Sequence, residues 1–137
     1  MSRAEAEKVV RDVYSARLSN DVERVCDQFL SDGCLVINGD PAESAIALRA
    51  AGRPSLDEML DALIQRWEWL EQDIERVLID GDHAAVQYQL TARFKPTGEV
   101  VQTTICDLLT FRSGKLAEVV QFVDTALVAG LMARESS

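Results

Sequence analysis

Asp80-Gly81-Asp82-His83-Ala84-Ala85-Val86-Gln87-Tyr88-Gln89-Leu90-Thr91-Ala92-Arg93-Phe94 is the stretch on which the fold turns. A turn signal opens it, and then Ala84, Val86, Tyr88, Leu90, Ala92 and Phe94 alternate with Ala85, Gln87, Gln89, Thr91 and Arg93. A period of two over this length predicts a strand with one apolar face and one polar face. Lys95-Pro96-Thr97-Gly98 and Arg112-Ser113-Gly114 are further turn signals, so residues 70–124 divide into four segments expected to be antiparallel neighbours. In the third segment Val101, Thr103, Ile105, Asp107, Leu109 and Phe111 share a face, which sets a carboxyl in an apolar row. In the last, Ala117, Val119, Gln121 and Val123 oppose Leu116, Glu118, Val120, Phe122 and Asp124, and the pattern leaves open which set faces inward.

Upstream of the meander the period changes. Ser2-Arg3-Ala4-Glu5 is a capping box, and Val9, Val10, Val13, Tyr14 and Leu18 follow at helical spacing, predicting a helix over about residues 3–18. Asn20-Asp21-Val22-Glu23 repeats the signal, and Val22, Val25, Cys26, Phe29 and Leu30 predict a short second helix. After Ser31-Asp32-Gly33, the run Cys34-Leu35-Val36-Ile37 reads as a first strand, ended by the turn residues Asn38-Gly39-Asp40-Pro41. Residues 42–53 are left open: Ala42 to Ala51 reads as a short helix or a weak strand, and Gly52-Arg53-Pro54 breaks whatever precedes it. Ser55-Leu56-Asp57-Glu58 is a third capping box, and Leu56, Met59, Leu60, Leu63, Ile64 and Trp67 form one helical stripe. Thr125 to Ala133 predicts a closing helix. Helices first and a meander of strands last is an α+β order, and 137 residues without a linker or repeat make one domain over 1–137.

Composition narrows the partners. Fourteen basic residues against 23 acidic ones give a formal net charge of −9, and such a field repels phosphate backbones and anionic headgroups. Nucleic acid and membranes are therefore not expected partners, and no apolar run approaches the roughly 20 residues of a membrane span. The first residues lack the apolar core of a secretory signal, so a cytoplasmic location is the expectation. Cys26, Cys34 and Cys106 are odd in number and have no C-x-x-C spacing, which points to reduced, buried thiols and to neither a disulfide framework nor a zinc site. His83 is the only histidine and sits in an exposed turn setting.

The order helix, helix, short strand, helix, four-strand meander resembles the nuclear transport factor 2-like superfamily, especially its SnoaL-like branch. Asp80-Gly81-Asp82-His83-Ala84 before a long strand, Gly52-Arg53 before the third helix and Phe111-Arg112-Ser113-Gly114-Lys115-Leu116 in the final hairpin carry the resemblance. It implies a cone, a curved antiparallel sheet wrapped around three N-terminal helices that leaves an apolar pocket. Within the superfamily, Ile105-Cys106-Asp107-Leu108-Leu109-Thr110-Phe111 looks like the strand of ketosteroid isomerase that carries its protonated oxyanion-hole aspartic acid, here Asp107. The general base of that enzyme would fall on Asp40, before Pro41, or on Asn38. Its oxyanion tyrosine would fall near Tyr14, about one residue out of register.

The chemistry of such a site is definite. Moving a proton beside a carbonyl needs a base and donors that hold the developing enolate oxygen, and an apolar pocket keeps a carboxylic acid protonated so that it can donate. Asp107, Asp40 and Tyr14 are thus the candidate catalytic residues. The substrate pocket is expected to include Asn38, Trp67, Tyr88, Leu90, Ala92, Ile105, Leu109, Val119, Gln121 and Val123. Each also has an ordinary reading: Asp107 as a solvated carboxylate or the partner of Arg93 or Arg49, Asp40 as an Asx-turn residue, Tyr14 and Trp67 as packing residues. Epoxide hydrolases and polyketide cyclases of this fold carry an aspartate where this chain aligns Gln121, and an amide cannot replace a carboxylate base. The expected function is a pocket for a small apolar molecule, as an isomerase-like enzyme without cofactor or metal, or as a non-catalytic binding or protein-interaction module. The polar strand face of Gln87, Gln89, Thr91, Gln102 and Thr104 suggests a homodimer.

Overall fold

A computed structural model describes residues 1–40, 42 and 46–135. The elements run α1 (Arg3–Leu18), α2 (Val22–Asp27), β1 (Phe29–Ile37), β2 (Leu48–Ala51), α3 (Ser55–Arg66), β3 (Trp67–Asp80), β4 (His83–Phe94), β5 (Glu99–Arg112), β6 (Lys115–Phe122) and α4 (Thr125–Glu135). The strands form one curved sheet in the order β2-β1-β6-β5-β4-β3, antiparallel throughout except for the parallel pair β1 and β6. Helix α1 packs on α2 and β3, and α3 packs on α2, β2 and β3, so the helices fill the inside of the curve. This is the expected α+β cone.

Local chemistry explains the helix ends. Ser2 caps α1 by accepting from the Glu5 N–H at 3.1 Å, and Asp21 caps α2 by accepting from the Arg24 N–H at 3.1 Å. The third capping box does not form. The N-cap of α3 is Pro54, which makes no side-chain bond, and Ser55 is already helical. The Leu56 N–H instead donates to the Gly52 carbonyl at 2.9 Å, in a turn where Gly52 has φ +72°, a conformation glycine adopts without strain.

Three expectations about strands are corrected. Trp67 does not continue the helical stripe of α3 but opens β3, where it pairs with Phe94. Phe29 and Leu30 end no helix; they open β1, because Phe29 pairs with Leu116 and the Leu116 N–H donates to the Gln28 carbonyl at 2.8 Å. Gly33 belongs inside this strand, since an added Cβ there would lie 2.9 Å from the Leu116 carbonyl oxygen. The undecided residues 42–53 include β2, paired antiparallel with β1 from Ile37↔Leu48 to Cys34↔Ala51; residues 41 and 43–45 lie outside the described residues.

The meander follows its alternation. All six apolar positions of β4 from Ala84 to Phe94 are buried, and on β5 so are Ile105, Asp107, Leu109 and Phe111. The unclear parity of β6 has a cause. Phe111 pairs with Leu116 while Thr110 pairs with Glu118, so Ala117 is skipped and both Leu116 and Val119 point inward. The three cysteines are free, but Cys106 is only half-buried, because its position on β5 belongs to the outer face.

Candidate functional site

Helices α1 to α4 and strands β1 and β3 to β6 surround a cavity of about 130 Å³. Its wall takes Tyr14 from α1, Trp67 and Trp69 from β3, Leu90 and Ala92 from β4, and Ile105, Asp107 and Leu109 from β5. Val119 and Gln121 come from β6, and Val123 follows it. Helix α4 adds Leu127, Val128 and Leu131 to the wall. The lining is almost wholly apolar, with a few polar groups at fixed points, the usual make-up of a small-molecule site.

Asp107 is the central polar group, 2% exposed. Its Oδ2 accepts from the Tyr14 hydroxyl at 2.5 Å and from the Tyr88 hydroxyl at 3.0 Å. Tyr88, fully buried behind the lining, accepts in turn from the Gln121 amide at 3.1 Å, and the Tyr14 and Tyr88 rings meet edge to face at 5.1 Å. Asp107 Oδ1 has no hydrogen-bond partner among the described residues. Burial pushes this carboxyl up to about 6, against the opposing pull of the Tyr14 and Tyr88 hydrogen bonds and the nearby Gln121 amide. Burial, with the carboxyl beside them, holds both phenols well above their ordinary range, so they remain donors.

Arginine pairing of Asp107 does not occur. Arg93 bonds Glu68 on the outer side of the sheet, and Arg49 is exposed on β2. The turn after β1 starts at the cavity wall, where Ile37 lines it, but turns its polar side chains outward. Asp40 is exposed and its Oδ1 accepts from the Ala42 N–H at 3.0 Å, an Asx turn. Asn38 is exposed too, and its backbone N–H donates to the Gln121 carbonyl at 2.8 Å. Neither lines the cavity, so the expected base position is not filled by either side chain.

One lining residue escapes the sequence pattern. Arg17, 9% exposed, stacks its guanidinium over the Trp69 ring at 4.2 Å and donates to Asn20 Oδ1 at 3.3 Å. Burial lowers it to about 10, still charged at neutral pH. It completes the buried stripe Ala6, Val10, Tyr14, Arg17, and its spacing from Tyr14 was the available signal. Asp124 also reaches the rim, where its Oδ1 accepts from the Leu127 N–H at 3.0 Å at the start of α4. No group of three or more His, Cys, Asp or Glu side chains among the described residues is arranged to hold a metal ion. No helix among them is long and apolar enough to cross a membrane.

The sequence pattern of the SnoaL-like domain matches residues 10–119. No curated protein matches the sequence. Among solved structures, a nuclear transport factor 2-like protein from Burkholderia xenovorans LB400 is similar, with TM-score 0.81 and 21% identity over 95% of this chain and 97% of that one. A protein with a ketosteroid isomerase-like fold from Catenulispora acidiphila, solved in complex with trimethylamine, gives TM-score 0.72 and 17% identity over 82% of each chain. TerC, co-crystallised with polyporic acid, gives TM-score 0.79 and 14% identity over 94% and 98%.

Proposed function

The chain belongs to the SnoaL-like domain family, and from that premise we propose that its cavity receives a small apolar carbonyl compound whose oxygen is met by Asp107. The observation that carries this reading is a carboxyl sealed in the cavity wall, with Oδ2 fixed by two phenols and Oδ1 unpartnered. A neutral Asp107 has an O–H to donate from Oδ1 to a ligand carbonyl. As a solvent or buffer base takes a proton from the neighbouring carbon, to return it at the far end of the enolate, charge grows on that oxygen, and a donor already in place stabilises it more than it stabilises the ground state. Tyr14 and Tyr88 are committed to Oδ2, so they act as positioning residues that orient the acid. With burial raising this carboxyl to about 6, the neutral donor form dominates below that pH, and isomerase-like activity should be highest there. Small molecules bound by relatives of the same fold support the pocket reading.

The test is isomerisation of a β,γ-unsaturated ketone to its conjugated isomer, followed by absorbance. The parent should exceed the buffer rate, and Asp107→Asn should lose about 10²-fold or more of that excess. No excess over buffer removes the enzymatic reading. A second reading, a non-catalytic binding module, is favoured by one observation: Asp40 and Asn38 lie outside the cavity, which leaves a two-group isomerase mechanism without its base. Ketone binding without turnover would select it.

Two wider expectations belong to the same proposal. A homodimer through the outer sheet face is supported by the cross-strand apolar row Leu78, Ala85, Leu108, Val120 beside the polar face read from sequence. Sedimentation at micromolar concentration giving a single 15.2 kDa species would reject it. A reducing, cytoplasmic setting fits the three free thiols.

A further inference from the structure

Among the described residues only two ionisable side chains of the Asp, Glu, Lys and Arg kind are buried, Asp107 and Arg17, and both line the same cavity. They make no ion pair with each other or with any other described residue. Most other arginines pair on the surface, Arg3 with Glu7, Arg53 with Asp27 and Asp57, Arg112 with Asp32, and those without an ion pair among the described residues, Arg11, Arg49 and Arg76, are not buried. Arg17 is set apart from them by burial and by lack of a counter-ion.

A buried cation without a counter-ion is expensive, and an arginine cannot escape by giving up its proton. The Trp69 ring offsets part of that cost, and Asn20 takes one hydrogen bond. A guanidinium has five N–H donors in a planar fork, the shape that a carboxylate fits with two parallel bonds. The cavity, about 130 Å³, is of the size that accepts a single aromatic ring. We infer that the ligand is a small apolar carboxylate, its charged end on the Arg17 fork and its body on Trp67, Trp69, Leu90 and Leu109. This rests on the pocket reading above and names the class of compound that enters; the carbonyl met by Asp107 would be a second oxygen group on the same molecule. The overall charge of −9 makes the local cation more telling, since nothing else about the protein favours an anion.

The chain has two tryptophans, and both line the cavity, so their emission reports occupancy directly. Benzoate and benzamide, alike in shape but differing in charge, are titrated near pH 5.5, where most Asp107 carboxyls carry their proton. Benzoate should bind the parent at least tenfold more tightly than benzamide. Arg17→Met should lower benzoate affinity tenfold or more and benzamide affinity far less, while Arg17→Lys should keep part of the preference. Equal affinities in the parent, or a benzoate preference that survives in Arg17→Met, overturn the inference and leave the pocket reading standing. If neither compound changes the emission of the parent, the pocket reading falls together with it. The parent comparison stands by itself should the Met variant fail to fold.

Discussion

Strand β5 presents two faces to two different environments, and adjacent residues on it have opposite fates. Ile105, Asp107, Leu109 and Phe111 point into the cone and are buried, whereas Thr104 and Leu108 are exposed and Cys106 and Thr110 are half-buried. The pleat alone makes this division. A carboxyl one position earlier or later would meet water and titrate as an ordinary aspartate. At position 107 it meets two phenols and an apolar wall. The outer face carries solvated polar pairs such as Gln89 with Thr104, along with an apolar row that asks for cover. Chemistry on this scaffold therefore follows from strand parity, with α1 and β4 supplying the donors that orient the acid.

Leucine truncation gives the largest break in this comparison. Leu109 is 2% exposed and Leu108 is 46% exposed. Leu109→Ala should cost about 2–5 kcal/mol in urea unfolding, and Leu108→Ala should stay within about 0.5 kcal/mol for the monomer. If the outer row is the dimer surface, Leu108→Ala would weaken self-association instead. Similar costs for the two leucines would erase the distinction between the faces.

Charge is the next probe. The folded-state pKa of Asp107, about 6, lies above the ordinary 3.8, so the native state holds the proton more tightly than the unfolded chain. The stability contributed is full below about pH 4, falls as pH rises toward 6, and is lost above that. Asp107→Asn removes the titration, so at pH 8 it should be more stable than the parent by roughly 2–3 kcal/mol, an advantage that disappears at low pH. Asp40→Asn should leave stability unchanged, since an asparagine makes the same Asx turn.

Thiol labelling gives the smallest effect and sharpens the outer face. Burial pushes Cys26 up to about 12, where it donates to Asp57, and burial also raises Cys34. Both should react with a thiol reagent only after denaturant is added, and Cys106, on the open side of β5, should react first. Slower labelling of Cys106 as protein concentration rises would mark the outer face as the covered one; native labelling of Cys26 would contradict its burial.

Much of this was legible because it is local. Period-two alternation and three turns delimit β3 to β6, and the parity of β5 by itself sets Asp107 on the apolar face with Ile105, Leu109 and Phe111. What escaped was set by partners distant in sequence. Phe29 becomes a strand residue because Leu116 pairs with it, and the Ala117 bulge flips the parity of β6 through its register with β5. Asp40 looked like a base by alignment, yet proximity to the cavity depends on where the β1 turn lands. Arg17 was missed because a stripe counted in apolar residues passes over a cation whose cost is offset by a tryptophan more than fifty residues away.

Titration of the Asp107 carboxyl carbon by NMR tests the account most directly. The result predicted is a midpoint near 6, with the neutral acid dominant below it and the Tyr14 and Tyr88 ring signals shifting in step. A midpoint at or below the ordinary aspartate value of about 3.9 would mean that water or a cation reaches the carboxyl, and the donor role assigned to Asp107 would be contradicted.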